Sequence, residues 1–182
     1  MRQLFIRDYS TNLHGTTIIH DKEGKECYLL VGKRGLRHDI LSVYSINGAL
    51  LAEAKQLTLG LSPKFALYVE HHRIGTLGSG LSLFQQVTYI KGINWIIVGS
   101  LLTSRYHIFS RSHLVFSIQP VELSGDYYRA LKVDKKYNEP LAILITNILD
   151  QWARRSDNES LLARLMRRRF NLNTSMPFHD SY

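Results

Sequence analysis

Cysteine is almost missing from this chain. Cys27 is the one cysteine in 182 residues, so no internal disulfide can form and a reducing compartment is the expected setting. It has no Cys or His neighbour at metal-ligand spacing and reads as a small strand residue. Proline is scarce too: four, beside twelve glycines and ten tyrosines, a balance that suits a β-rich domain with tight turns. Long apolar runs are few. Charge interrupts the first one, Leu4-Phe5-Ile6, after three residues, where an export segment needs roughly 7–15. The expected location is therefore the cytoplasm. Acidic residues are short of basic ones, fifteen against twenty-three, which leaves a net charge of +8. That surplus permits contact with nucleic acid or anionic lipid without choosing between them.

Catalytic motifs are missing as well. No two of the eight histidines sit four apart on a helix with a Glu between them, and no Gly-x-Ser-x-Gly elbow occurs. The patch Gly75-Thr76-Leu77-Gly78-Ser79-Gly80 lacks the Lys-Ser/Thr end and the strand-to-helix setting of a phosphate loop. A hairpin could bring His107 and His113 together as a surface metal site, although strand histidines without metal are the ordinary explanation. No enzyme activity and no cofactor are expected.

What is present is alternation. Twelve segments read as strands: 2–9, 16–20, 26–32, 40–46, 49–56, 65–70, 73–77, 86–91, 94–100, 106–110, 113–119 and 127–134. They recur at intervals of roughly 8–12 residues, the spacing of a sandwich or barrel. Asn47-Gly48 is the strongest hairpin signal and predicts a type I′ turn. His71-His72 predicts another tight connection.

The period then changes. Glu139 to Arg155, EPLAILITNILDQWARR, carries seven large apolar side chains pointing all round a helix: Leu141, Ile143, Leu144, Ile145, Ile148, Leu149 and Trp152. Such a helix must be enclosed, and it is too short for a bilayer, which takes about 20 apolar residues. Asn138 or Glu139 is placed to cap it, with Pro140 in its first turn. Burying the seven is worth roughly 10–20 kcal/mol as an upper estimate. A typical domain has a net stability of only about 5–15 kcal/mol, so the sheet is expected to depend on this helix.

Two basic segments remain. Lys33-Arg34-Gly35-Leu36-Arg37-His38 is either a solvated connection or, through Lys33, Arg34 and Arg37, part of an anion site for a lipid headgroup. After a capping box at Ser156–Glu159 comes a short helical pattern with Leu161, Leu162, Leu165 and Met166 as its apolar stripe and Arg164, Arg167, Arg168 and Arg169 beside it. That helix either packs on the domain or lies on a membrane surface. Arginine without interleaved aromatics makes single-stranded nucleic acid the weaker expectation.

The strings Ile46-Asn47-Gly48-Ala49-Leu50-Leu51-Ala52-Glu53-Ala54-Lys55, Pro63-Lys64-Phe65-Ala66-Leu67-Tyr68, Arg73-Ile74-Gly75-Thr76-Leu77 and Gly125-Asp126-Tyr127-Tyr128 run in that order. With Leu141-Ala142-Ile143-Leu144-Ile145, they resemble the LURP-one-related family, including its YxjI-type bacterial members, over roughly residues 1–152. The resemblance implies a tubby-like fold: a closed barrel of about twelve antiparallel strands around a central hydrophobic helix. It also implies kinship with phosphoinositide-binding tubby domains and phospholipid scramblases, and no enzymatic activity. The expected organisation is a barrel over 1–155 with its central helix at 139–153, followed by a basic extension over 156–182. The expected function is a non-enzymatic module, peripheral at a membrane, that recognises anionic phospholipid headgroups. The alternative is a protein- or nucleic-acid-binding regulatory module using the basic C-terminal segment.

Overall fold

A computed structural model describes residues 1–7, 15–33, 39–58, 63–78, 87–100 and 103–153. It contains twelve strands: β1 (Arg2–Arg7), β2 (Gly15–Asp21), β3 (Glu26–Lys33), β4 (Ile40–Ser45), β5 (Leu50–Gln56), β6 (Phe65–Val69), β7 (His72–Leu77), β8 (Val87–Lys91), β9 (Trp95–Ser100), β10 (Arg105–Ser110), β11 (His113–Leu123) and β12 (Asp126–Val133). Each pairs antiparallel with its neighbours in sequence, and β1 also pairs with β12, so the sheet closes into a barrel. Closure leaves the sheet without a terminal strand, although the β1–β2 and β7–β8 seams are each paired over two residues only. A 3-10 turn, Lys136–Asn138, leads into helix α1, which runs from 139 through 153.

Alternation decides which side chains face inward. In β8, Thr88 and Ile90 are buried while Val87, Tyr89 and Lys91 are exposed. The register carries that inner layer across strands: Ile90 stands opposite Trp95, Ile97 opposite Ile108, Phe116 opposite Val133, and Leu131 opposite Leu4. α1 fills the space they surround. Residues 141–146 are six consecutive buried positions, and at 100° per residue they cover the full circumference of the helix. Leu144 and Ile145 are each 0% exposed, as an enclosed helix requires.

Four local expectations need correction. The turn after β4 spans Ser45–Gly48: the Gly48 N–H donates to the Ser45 carbonyl, and the Ser45 hydroxyl accepts from the Ala49 N–H. Gly48 takes the positive φ, 86°, and Asn47 does not. The pattern is a type I turn followed by a left-handed glycine, and the Ser45 side chain is what favours it over type I′. The β6–β7 turn falls on Glu70 and His71, both with positive φ, one residue earlier than predicted. β11 runs through Pro120 to Leu123. It can do so because its last pairing with β10 is Ile118 with Tyr106, so no N–H is needed from Pro120 on that side. Finally, the Asn138 and Glu139 side chains are engaged elsewhere: Asn138 donates to Asp134, and Glu139 accepts from Arg2 and Tyr28.

Candidate functional site

An up-and-down barrel sends alternate connections to opposite ends. The connections 22–25, 46–49, 70–71, 92–94 and 111–112 lie at one end, together with the start of β1 and the start of α1. The other end holds the finish of β3, the start of β4 and residue 153. Of the residues expected to bind an anion, Lys33 ends β3 there and is exposed. Arg34 and Arg37 lie outside the described residues, as do Arg164, Arg167, Arg168 and Arg169. The strand and helix ends from which the two basic segments depart thus share one end of the barrel. Leu57, Val87, Val98, Leu123 and Tyr127, exposed apolar or aromatic side chains, lie toward that same end.

The opposite end holds a polar cluster that the sequence reading did not identify. Arg2 shares the inward face of β1 with Leu4 and Ile6. Its guanidinium donates to Glu139 Oε2 at 3.1 Å, to Asp21 Oδ2 at 3.3 Å and to Cys27 Sγ at 2.9 Å. The Tyr28 hydroxyl donates to the same Glu139 oxygen at 2.7 Å. Glu139 is 0% exposed, and its Oε1 has no hydrogen-bond partner among the described residues. A buried carboxylate without a cation would be very costly, and Arg2 supplies that cation. Parity with Leu4 and Ile6 is the signal that could have placed Arg2 inside.

The ionisation of the cluster follows from this packing. Burial, the largest influence, would lower Arg2, but Glu139, with Cys27, Asp21 and Tyr28, outweighs it and holds the guanidinium above its ordinary value. Burial, reinforced by its bond to Glu139, raises the Tyr28 phenol. Burial also raises the Cys27 thiol, more than nearby Arg2 lowers it. That direction disfavours the thiolate a nucleophile needs. For Asp21 the largest influence, burial, is upward. The N–H groups of Lys25 and Glu23 and the Arg2 bond together outweigh it and leave the carboxyl below its usual value.

A second inward arginine, Arg129 on β12, donates through Nε to Asp150 Oδ1 at 2.8 Å, with side chains 13% and 10% exposed. Arg2 and Arg129 thus hold α1 near its start and near its end, and both belong to adjacent strands of the barrel seam. Removing one member of such a buried pair costs far more than the pair contributes.

The register does not bring His107 and His113 together, as the alternative metal-site reading would require. His107 stands opposite Ser117 and stacks on Phe109, whereas His113 stands opposite Ser110 and bonds Asp134 at 2.9 Å. Among the described residues no cluster of three His, Cys, Asp or Glu could hold a metal ion, and no helix is long and apolar enough to cross a membrane.

No protein-family model matches the chain, and no curated protein does. Among solved structures, a protein of Arabidopsis thaliana known from an X-ray structure is similar, with 11% identity and a TM-score of 0.45. The match covers 82% of this chain and 89% of that one.

Proposed function

We propose that this protein is a non-enzymatic tubby-like module, related to the LURP-one family, that binds anionic phospholipid headgroups at a membrane surface. One observation carries this reading: the elements leading into both basic segments end at the same end of the barrel, where exposed Leu57, Val87, Val98, Leu123 and Tyr127 also lie. Cations attract an anionic leaflet, and exposed apolar and aromatic side chains suit its interface. Each basic residue near such a surface is worth about 1 kcal/mol. The six arginines from Arg154 to Arg169 would then supply several kcal/mol, enough for reversible attachment.

Co-sedimentation with vesicles at physiological salt tests the proposal. Vesicles containing phosphatidylserine or phosphoinositide should retain the protein, and neutral vesicles should not. Replacing Arg167, Arg168 and Arg169 by Ala should weaken retention on the order of a hundredfold, at about 1 kcal/mol each. Equal retention on neutral and anionic vesicles overturns the proposal. A steep salt dependence on DNA with no preference among vesicles would favour the nucleic-acid alternative instead.

A further inference from the structure

The tight-turn end carries a cleft of about 530 Å³, independent of the membrane reading and at the opposite end of the barrel. We propose that this cleft binds a small organic oxyanion, a phosphate monoester or carboxylate that carries an apolar group. Its size falls within the range of small-molecule pockets, about 300–1,000 Å³. Because α1 fills the barrel interior, the cleft is a surface concavity reached directly from solvent.

The cations left to face a ligand there are Lys25 and Lys136, because Asp21 and Glu139 together more than balance Arg2. Asp21 and Glu139 are occupied in holding Arg2. Three donor contacts from the guanidinium go to Glu139, Asp21 and Cys27, which leaves two of its five N–H donors without an acceptor among the described residues. Lys25 and Lys136 line the same cleft and make no ion pair or side-chain hydrogen bond among the described residues. Glu26 is the one carboxylate on the lining, so two free ammonium groups face a single free acid. The β4–β5 hairpin contributes two aliphatic side chains, Ile46, 42% exposed, and Leu51, beside polar Ser45 and Asn47.

Cations and aliphatic side chains on one cleft match a ligand with an anionic head and an apolar body. The arginine is also held in place beforehand. Buried Glu139, fixed by Tyr28, orients it before any ligand arrives, which lowers the ordering cost of binding. Hydrogen bonds from its remaining donors and from the two lysines to an oxyanion would be charge-assisted, the strong kind.

The test is an NMR titration of the full-length, 15N-labelled protein with phenyl phosphate and, separately, with inorganic phosphate. Phenyl phosphate should give saturable shifts confined to amides of 25–28, 45–51 and 136, and should bind more tightly than inorganic phosphate. Lys25→Ala with Lys136→Ala should weaken it on the order of tenfold or more, and Ile46→Asp should weaken it through repulsion. These three side chains are at the surface, so the variants should fold. Shifts that do not saturate, that centre on Lys33, or that survive the double variant overturn the proposal. Vesicle binding should be unchanged in the double variant. Retained phenyl phosphate binding without any vesicle binding leaves the cleft standing and removes the membrane reading.

Discussion

The two ends of the barrel are built differently. At the end where α1 begins, connections of two to four residues (22–25, 46–49, 70–71, 92–94, 111–112) join the strands. At the other, the two-residue link 124–125 is the exception among connections of four to nine residues (8–14, 34–39, 57–64, 78–86, 101–104). Short turns fix the register of the strands they join, and the first end carries the polar cluster and its cleft. Longer connections tolerate varied sequence, and one of the two basic segments falls in such a connection. Each end also grips the helix through an arginine, partly exposed at Arg2 and nearly enclosed at Arg129.

The largest effect tests what the two ends share. Leu144→Asp or Ile145→Asp places a carboxylate at a fully buried position with no cation beside it. Both variants should lose the cooperative thermal transition seen by circular dichroism. A melt close to wild type for both would mean that α1 is not enclosed.

The arginine pairs test each end in turn. Arg129→Met leaves Asp150 buried without that partner and should cost about 3–5 kcal/mol in urea unfolding. Arg2 has a side chain 36% exposed, but Arg2→Met leaves the fully buried Glu139 without its cation, so it too should cost about 3–5 kcal/mol, well above an exposed pair. The double variant Arg129→Met with Asp150→Leu should recover part of the Arg129→Met loss. A cost of only about 1 kcal/mol at either end would mean that the carboxylate there does not depend on its arginine.

Glycine offers a smaller contrast. Gly48 at the tight-turn end has open space around it and only its φ of 86° to constrain it, so Gly48→Ala should cost about 1 kcal/mol. Gly99, toward the other end, lies so close to the Arg105 carbonyl and the Tyr106 ring that an added methyl would overlap both. Gly99→Ala should therefore be the more destabilising, and matched melts would show whether that close approach matters.

Acid should have the mildest effect. Burial pushes Asp134 upward, but bonds from Asn138, His113 and the Lys135 N–H outweigh it, and the carboxyl, like that of Asp21, lies below the ordinary 3.8. A lowered folded-state value stabilises the fold above pH 3.8 and is lost as pH falls through that lowered value. Asp21→Asn and Asp134→Asn should each flatten the acid limb of stability against pH and leave its neutral part nearly parallel to wild type. Unchanged acid limbs in both would show that these bonds do not stabilise the folded state.

Most strands were legible because they follow the rule of two, although β4 and β6 each bury three residues in a row. β8, with Thr88 and Ile90 inside and Tyr89 outside, can be read from five residues. The turn at Gly48 was half legible: the glycine marked it, but its type depended on the Ser45 side chain reaching the Ala49 N–H. The limit at Pro120 was misplaced because a proline in a strand stops pairing only where a second neighbour needs its N–H, and there β10 has already ended. Of the sequence-predicted anion-binding residues, the described structure places Lys33 alone, at the surface.

By itself, the sequence determined that strands alternate, that a helix apolar all round needs enclosing, and that basic residues outnumber acidic ones. These are properties of period and composition, carried by neighbours along the chain. Only the tertiary structure decided that Arg2 meets Glu139, 137 residues away, while Asp21 and Cys27 close on the same guanidinium. It likewise decided that Arg129 meets Asp150, and that Lys25 and Lys136 share a cleft. Closing the barrel makes those contacts by joining β1 to β12, and no local pattern encodes which charge a closed sheet will place opposite which.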